Sequence, residues 1–214
     1  MNDAGVTVVH EDDALIVLDK PAGLLAVPGR GPDKADCLIA RAQRLWPDAR
    51  VVHRLDQATS GLMVLARGAA LQRSLSQAFA ERQVDKRYEA VVHGLLPPAS
   101  SADGWGEIDL PIIIDWPNRP RSKVDHAMGK PSRTRWRVLS HDQMHQRTRL
   151  ALEPVTGRTH QLRVHLQAMG HPIVGDALYG PADGAARLML HACGLALTHP
   201  MSGTPLRLDR SAPF

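Results

Sequence analysis

The stretch Val51-Val52-His53-Arg54-Leu55-Asp56-Gln57-Ala58-Thr59-Ser60-Gly61-Leu62-Met63-Val64-Leu65 decides how this chain is read. Leu62 to Ala66 is an unbroken apolar run of core-strand length, so the polar loop before it stands on a rigid base. Asp56 lies in that loop, two residues after Arg54. A carboxylate beside a cation at a sheet edge is suited to act as a nucleophile or general base. The same carboxylate is suited to cap a turn by accepting hydrogen bonds from nearby backbone N–H groups. Taken alone, the local pattern favours this capping reading.

Outward from the loop, Ala14 to Leu18 has the composition of a second buried strand, closed by the turn Asp19-Lys20-Pro21-Ala22-Gly23. In Pro28-Gly29-Arg30-Gly31-Pro32 a proline follows the Gly-x-Gly and no third glycine opens a helix, so this is not a dinucleotide fingerprint. Cys37 to Leu45, Ala69 to Gln83 and Gln161 to Gly170 have helical spacing. In the second of these, Leu71, Leu75, Ala78 and Phe79 share one face. Lys86 to Val92 and Leu188 to Ala192 are expected strands, whereas Pro97 to Gly106 and Trp116 to Arg121 are expected loops. No repeat and no linker interrupts this order. The expected fold is a single α+β domain over residues 1–214, a mixed, mainly antiparallel sheet with short flanking helices.

Seven basic residues face a single acid, Asp125, between Arg119 and Arg137. Within that span Arg133-Thr134-Arg135-Trp136-Arg137-Val138 alternates strictly, three arginines on one face and Thr, Trp and Val on the other. Arg147 to Leu152 repeats the alternation, and the two segments are expected to pair as a hairpin through Ser140 to His145. Arg133 and Arg135 are candidate phosphate contacts along such a ribbon, with an ordinary solvated sheet face as the competing reading.

The totals exclude several classes. Hydrophobic content of 43% against 22% charged residues is that of a folded globular chain, not a disordered one. No apolar run reaches membrane-spanning length, and Met1-Asn2-Asp3 lacks the order of a signal peptide, so a cytoplasmic location with no membrane partner is expected. Cys37 and Cys193 stand far apart without a CxxC partner, which implies two reduced thiols rather than a disulfide scaffold or zinc ribbon. A net charge of +4 points modestly toward an anionic partner. Of 26 basic residues only Lys20, Lys34, Lys86, Lys123 and Lys130 are lysine; the rest are arginine, which binds phosphate bidentately and stacks on bases. An arginine-favouring codon usage accounts for that bias equally well. Aromatic content of 4% is too low for a sheet with several base-stacking rings.

Four separated segments together resemble the RNA pseudouridine synthases of the ribosomal large-subunit type. Asp19 to Gly23 is similar to that family's first motif, and His53-Arg54-Leu55-Asp56 with Thr59-Ser60-Gly61 to its catalytic loop. Lys86-Arg87-Tyr88 is similar to its Lys-x-Tyr motif. Pro154 to His165, followed by Gly170 to Asp176 and Leu190-His191-Ala192, is similar to the third. The segment Asp109-Leu110-Pro111 through Asp115-Trp116-Pro117-Asn118-Arg119-Pro120, then Gly129-Lys130-Pro131, is closest to the dual-specificity branch, which acts on 23S rRNA and on the tRNA anticodon loop. With only about fifteen residues before the first strand, no N-terminal S4 RNA-binding domain is expected, and recognition falls to the catalytic domain.

The resemblance implies an RNA partner and a cofactor-free isomerisation in which the C1′–N1 bond of uridine breaks and the uracil rejoins through C5. It assigns Asp56 as the catalytic group, attacking C1′ or acting on a glycal path. It assigns Tyr88 to the uracil and to proton movement, and Arg163 to keeping the Asp56 carboxylate ionised. Leu190 would form an apolar pocket wall, and Arg54 would fill the RNA stack left by the flipped uridine. No metal is expected, His160 and His165 being read as packing and hydrogen-bonding groups. No protein partner is expected, and the chain is read as a monomer. Two other readings stand beside this one: a non-catalytic RNA-binding or chaperone module using the arginine ribbon, and an aspartate-nucleophile hydrolase, for which no second carboxylate is evident.

Overall fold

The structure, a computed structural model, describes residues 5–214; Met1-Asn2-Asp3, read above for a signal peptide, lies outside the described residues. The chain forms two compact units, one of residues up to Lys86 with His191–Pro213, the other of Arg87–Leu190 with Phe214.

The first unit contains β1 (Thr7–Glu11), β2 (Leu15–Lys20), α1 (Leu38–Ala42), β3 (Ala49–Val51), β4 (Ser60–Arg67) and α2 (Gly68–Ala80). Late in the chain it adds β11 (Leu190–Thr198), from His191 onward, and β12 (Pro205–Asp209). Its centre is β4, in which every residue from Ser60 to Ala66 is buried. β2 lies antiparallel to it from Leu15↔Ala66 to Lys20↔Gly61, and β11 runs parallel to it through His191↔Ser60 and Ala192↔Gly61. A strand covered on both faces carries a continuous apolar run instead of an alternating one, as Leu62 to Ala66 does. The face of α2 formed by Leu71, Leu75, Ala78 and Phe79 packs on Leu15, Val17, Leu62, Val64 and Ala66, as its spacing predicts. Cys37 and Cys193 are both free and buried.

The second unit contains most of β5 (Asp85–His93), with β6 (Gly106–Asp109), β7 (Ile112–Ile114), β8 (Ser122–Val124), β9 (Arg133–Asp142), β10 (Arg147–Pro154) and α3 (Gln161–Ala168). β9 and β10 form the expected antiparallel hairpin, with a register shift at Arg149/Leu150. β5 flanks β10 from Arg147↔His93 to Leu152↔Tyr88, and β6 flanks β9 from Gly106↔Trp136 to Asp109↔Arg133. β7 and β8 make a separate two-stranded ribbon. Sheet predominates over helix in both units and its pairs are mainly antiparallel, which is the α+β class expected. The helix expected over Cys37 to Leu45 is shorter, Leu38–Ala42, and the strand expected at Leu188 starts at Leu190 and runs on to Thr198. Among the described residues no helix is long and apolar enough to cross a membrane.

One glycine fixes how β4 starts. Gly61 has φ +111°, and a Cβ there would lie 2.3 Å from the Ala192 carbonyl oxygen and 2.6 Å from its nitrogen. Both the conformation and the backbone approach demand glycine. Gly61→Ala is expected to destabilise the protein by ~2 kcal/mol or more, through strain and overpacking together. A urea midpoint equal to that of the unsubstituted protein, at unchanged slope, would contradict this.

Candidate active site

The Asp56 loop is suspended between β3 and β4 and held at several points. Past the end of β3, the His53 ring stacks on Phe79 at 4.3 Å between centroids and 17° between planes. Its Nε2 accepts the Val64 N–H at 2.9 Å, so a ring nitrogen satisfies a β4 donor beyond the last β3 pair, Val51↔Leu65. Burial, aided by the Lys86 charge, pushes His53 down to about 3, and the ring is neutral at physiological pH. With Nε2 accepting, the proton sits on Nδ1. Arg54 is exposed and makes no side-chain hydrogen bond or ion pair among the described residues. Leu55 is buried, and Asp56 is half-buried in a turn closed by the Thr59 N–H donating to the Asp56 carbonyl at 3.1 Å.

The next peptide is clamped. Lys20, at the end of β2, is 0% exposed, and its Nζ donates to the carbonyls of Pro21 at 2.9 Å, Leu24 at 2.8 Å and Gln57 at 3.0 Å. The Gly23 N–H also donates to the Gln57 carbonyl at 2.8 Å, and the Gln57 side-chain amide returns to the Gly23 carbonyl at 3.0 Å. A buried ammonium is tolerable only when its donors are satisfied, so Lys20 draws the Pro21–Leu24 turn and the Asp56 turn onto one point. On the other side, Ser60 Oγ and His191 Nδ1 lie 2.8 Å apart in a buried contact. The carboxylate therefore stands on backbone whose position is overdetermined, which is what a pre-organised reacting group requires.

The second unit is organised by another buried charge. Arg163, on α3, is 4% exposed and pairs bidentately with Asp176: Nε to Oδ2 at 2.7 Å and Nη2 to Oδ1 at 2.6 Å. Asp176 Oδ1 also accepts the backbone N–H groups of Leu178 and Tyr179 at 3.0 and 3.1 Å. The guanidinium lies 5.0 Å from the centre of the Tyr179 ring, and the Tyr179 hydroxyl accepts the Ser122 N–H at 2.7 Å and lies 2.8 Å from His160 Nδ1. His160 takes a left-handed conformation, φ 57°, directly before α3. Gln161 Oε1 accepts from the Thr156 hydroxyl and the Arg158 N–H, while its amide donates to the Arg133 carbonyl and to Thr134 Oγ1. His165 Nδ1 lies 2.9 Å from Thr134 Oγ1, and its Nε2 lies 3.0 Å from the Leu110 carbonyl oxygen. The carbonyl can only accept, so Nε2 carries the proton and Nδ1 accepts from the Thr134 hydroxyl. Burial lowers the His165 pKa, opposed in part by that bond to Leu110. His160 and His165 thus hold the segment together, and no group of three or more His, Cys, Asp or Glu among the described residues is arranged to hold a metal.

Of the residues singled out in the sequence, Asp56 and Arg54 belong to the first unit; Tyr88, Arg163, Leu190, Arg133 and Arg135 belong to the second. Tyr88 is half-buried in β5 opposite Leu152, and Leu190 is 3% exposed at the start of β11. The β9 alternation is present: Thr134 and Trp136 are buried, and Arg133 and Arg137 are exposed. Arg133 and Arg135 are paired with acids, however. Arg133 meets Glu107 at 2.6 Å, and Arg135 meets Glu153 at 2.8 Å and Asp103 at 3.4 Å while lying 4.7 Å from the centre of the Trp105 ring. Sequence reading gave no role to Lys20, Gln161, Asp176 or Tyr179. All four are buried polar residues inside or just beyond motifs already noticed, a composition that signals a hydrogen-bonded hub.

The family model for RNA pseudouridylate synthase matches residues 14–168. A dual-specificity RNA pseudouridine synthase RluA from Yersinia pestis is 47% identical over 210 residues, covering 97% of this chain and 99% of that protein. Its counterpart from Escherichia coli K12 is 44% identical over 212 residues, covering 98% and 94%. Among solved structures, human RNA pseudouridylate synthase domain containing 1 aligns with a TM-score of 0.80 at 29% identity, covering 99% of this chain and 85% of that one. The chain belongs to the RNA pseudouridylate synthase family. It is an isomerase acting on RNA, and the non-catalytic RNA-binding reading gives way to the catalytic one.

Lys20→Met keeps the volume of the side chain but takes the ammonium donor from the Pro21 and Leu24 carbonyls and leaves that of Gln57 with the Gly23 N–H. It is expected to lower stability by about 3 kcal/mol and to reduce kcat while RNA affinity changes little. Wild-type stability and wild-type kcat in that variant, from urea titration and single-turnover kinetics, would remove the clamp from the account.

Proposed function

We propose that this chain converts uridine to pseudouridine both in 23S rRNA and in the anticodon loop of tRNA, with residues 1–214 acting as one catalytic domain and Asp56 as the catalytic group. The carrying observation is the Asp56 carboxylate itself, half-buried in a turn whose next carbonyl is fixed by the buried Lys20 and by Gly23. In the reaction the C1′–N1 bond breaks, the uracil turns, C5 bonds to C1′, and the hydrogen on C5 is lost to solvent while N1 gains one. Asp56 serves this either by attacking C1′ or by removing a proton from the sugar on a glycal path. Tyr88 serves the uracil and Arg163 completes the catalytic set, as the family motif implies. Arg54 and Leu190 are substrate-contacting residues, and the open guanidinium of Arg54 suits a side chain that enters an RNA stack.

Arg133 and Arg135 are weaker RNA contacts than the alternation suggested, because each must share its guanidinium with an acid already in place. The two RluA relatives carry dual-specificity in their names and are matched over nearly their full length, which supports the pair of substrates proposed. A cytoplasmic, monomeric enzyme working without cofactor or metal is consistent with this reading. Purified protein is expected to release tritium from C5-labelled uridine in both an anticodon stem-loop and a 23S rRNA hairpin. Release from one hairpin alone would reject dual specificity, and binding without release from either would reject the activity.

A further inference from the structure

The segment that set this chain beside the dual-specificity branch, Asp115 to Pro120, has no part in the chemistry above. It forms the tip between β7 and β8, and the structure gives that tip an ordered frame. The Asp115 N–H donates to the Arg121 carbonyl at 2.9 Å, Asn118 to Asp115 at 3.0 Å, and Arg121 to Asn118 at 3.0 Å. The ribbon is fastened to the Arg163–Asp176 hub at its base: the Ser122 N–H donates to the Tyr179 hydroxyl at 2.7 Å, and Arg121 Nη2 donates to the Leu178 carbonyl. Ile112 packs with Val164 and Tyr179.

On this fixed tip Trp116 is 63% exposed. The Arg119 guanidinium lies 4.2 Å from the centre of its ring, and Arg119 Nε donates to the Trp116 carbonyl at 3.2 Å, which holds indole and guanidinium together. The indole N–H has no hydrogen-bond partner among the described residues, and no other ring or cation stacks on it. Ile114, 43% exposed, is the last β7 residue before the tip and adds apolar surface to the ribbon. An ordered, exposed indole contributes nothing to the core, and with a guanidinium held against it the ring is available as a stacking surface.

The surrounding charge identifies that ligand. Arg119, Arg121, Lys123 and Lys130 are all exposed, while the two acids of the ribbon are occupied locally. Asp125 accepts the N–H groups of Ala127 and Met128, and Asp115 accepts the Asn118 amide. A flat aromatic face with a stacked guanidinium, on a segment whose four cations outnumber its two acids, matches an unpaired base with its phosphate.

We propose that the Trp116–Arg119 pair is a stacking platform for an unpaired loop nucleotide of the substrate RNA, a binding subsite that helps select the RNA. The proposal rests on the RNA-modifying reading given above and adds to it a residue-level contact on the β7–β8 ribbon. The test uses the full chain, Trp116→Ala and Trp116→Phe, with an anticodon stem-loop carrying 2-aminopurine in its loop. Wild-type protein is expected to quench the probe, Trp116→Ala to bind about ten-fold or more weakly without quenching, and Trp116→Phe to retain most of both. Because Trp116 is largely exposed, the thermal midpoint of each variant is expected to match the wild type. Wild-type affinity and quenching in Trp116→Ala would overturn the platform, as would a wild-type chain that does not bind the hairpin. Binding is read without turnover, so the two claims separate. Tritium release with an unaltered Trp116→Ala affinity defeats only the platform, and Trp116-dependent binding without release defeats only the activity.

Discussion

A lysine ammonium with no exposure to water sits at the end of the second strand and is held by the carbonyl oxygens of Pro21, Leu24 and Gln57. The constraint is electrostatic before it is structural. Burying an ammonium without partners costs on the order of several kcal/mol, a large share of a domain's total stability, so the carbonyl oxygens gathered at Nζ are what make its position tolerable. Two turns remote in sequence are thereby forced to meet, and one of them carries Asp56. Gly61 completes the arrangement on the other side, since only a residue without a Cβ lets β4 begin against Ala192. The loop is thus short, polar and half-open, yet set on a strand buried from Ser60 to Ala66.

The second unit applies the same principle to a different ion. Asp176 takes two of the five guanidinium N–H groups of Arg163, so the pair orients the fork without exhausting it. Breaking such a pair from one side leaves an uncompensated buried charge, which makes Asp176 as necessary as the arginine it holds. Tyr179, Gln161 and Thr134 extend the arrangement to β8 and β9 through hydrogen bonds that leave few polar atoms unsatisfied. The buried cations of both units are therefore fixed by acceptors that sequence neighbours do not reveal.

That difference explains what was legible in the sequence. The run Leu62 to Ala66, the face Leu71-Leu75-Ala78-Phe79 and the 133–152 hairpin were readable because hydrophobic periodicity reports burial directly. β1, β3, β6, β7, β8 and β12 were not, since pieces of three to five residues carry too little pattern to separate from loop; the first strand thus begins at Thr7 and not near Ala14. Glu107, an acid that neutralises Arg133, lies on one of those unread strands, so the ribbon looked more basic than it is. Asp56 was a candidate on local pattern, but it was family motifs that selected it as the catalytic group and that singled out Tyr88 and Arg163. Lys20 and Asp176 lay in the same motifs but looked like turn residues, because a partner chosen by tertiary contact leaves no spacing to detect.

The central claim is that Asp56 acts on the substrate and does not merely shape its own turn. It is tested most directly by incubating Asp56→Ala in excess over a stem-loop RNA and following both complex formation and the nucleosides recovered after digestion. Binding close to that of the wild type with no pseudouridine formed is the expected result. Pseudouridine appearing at a rate near that of the wild type would contradict the account.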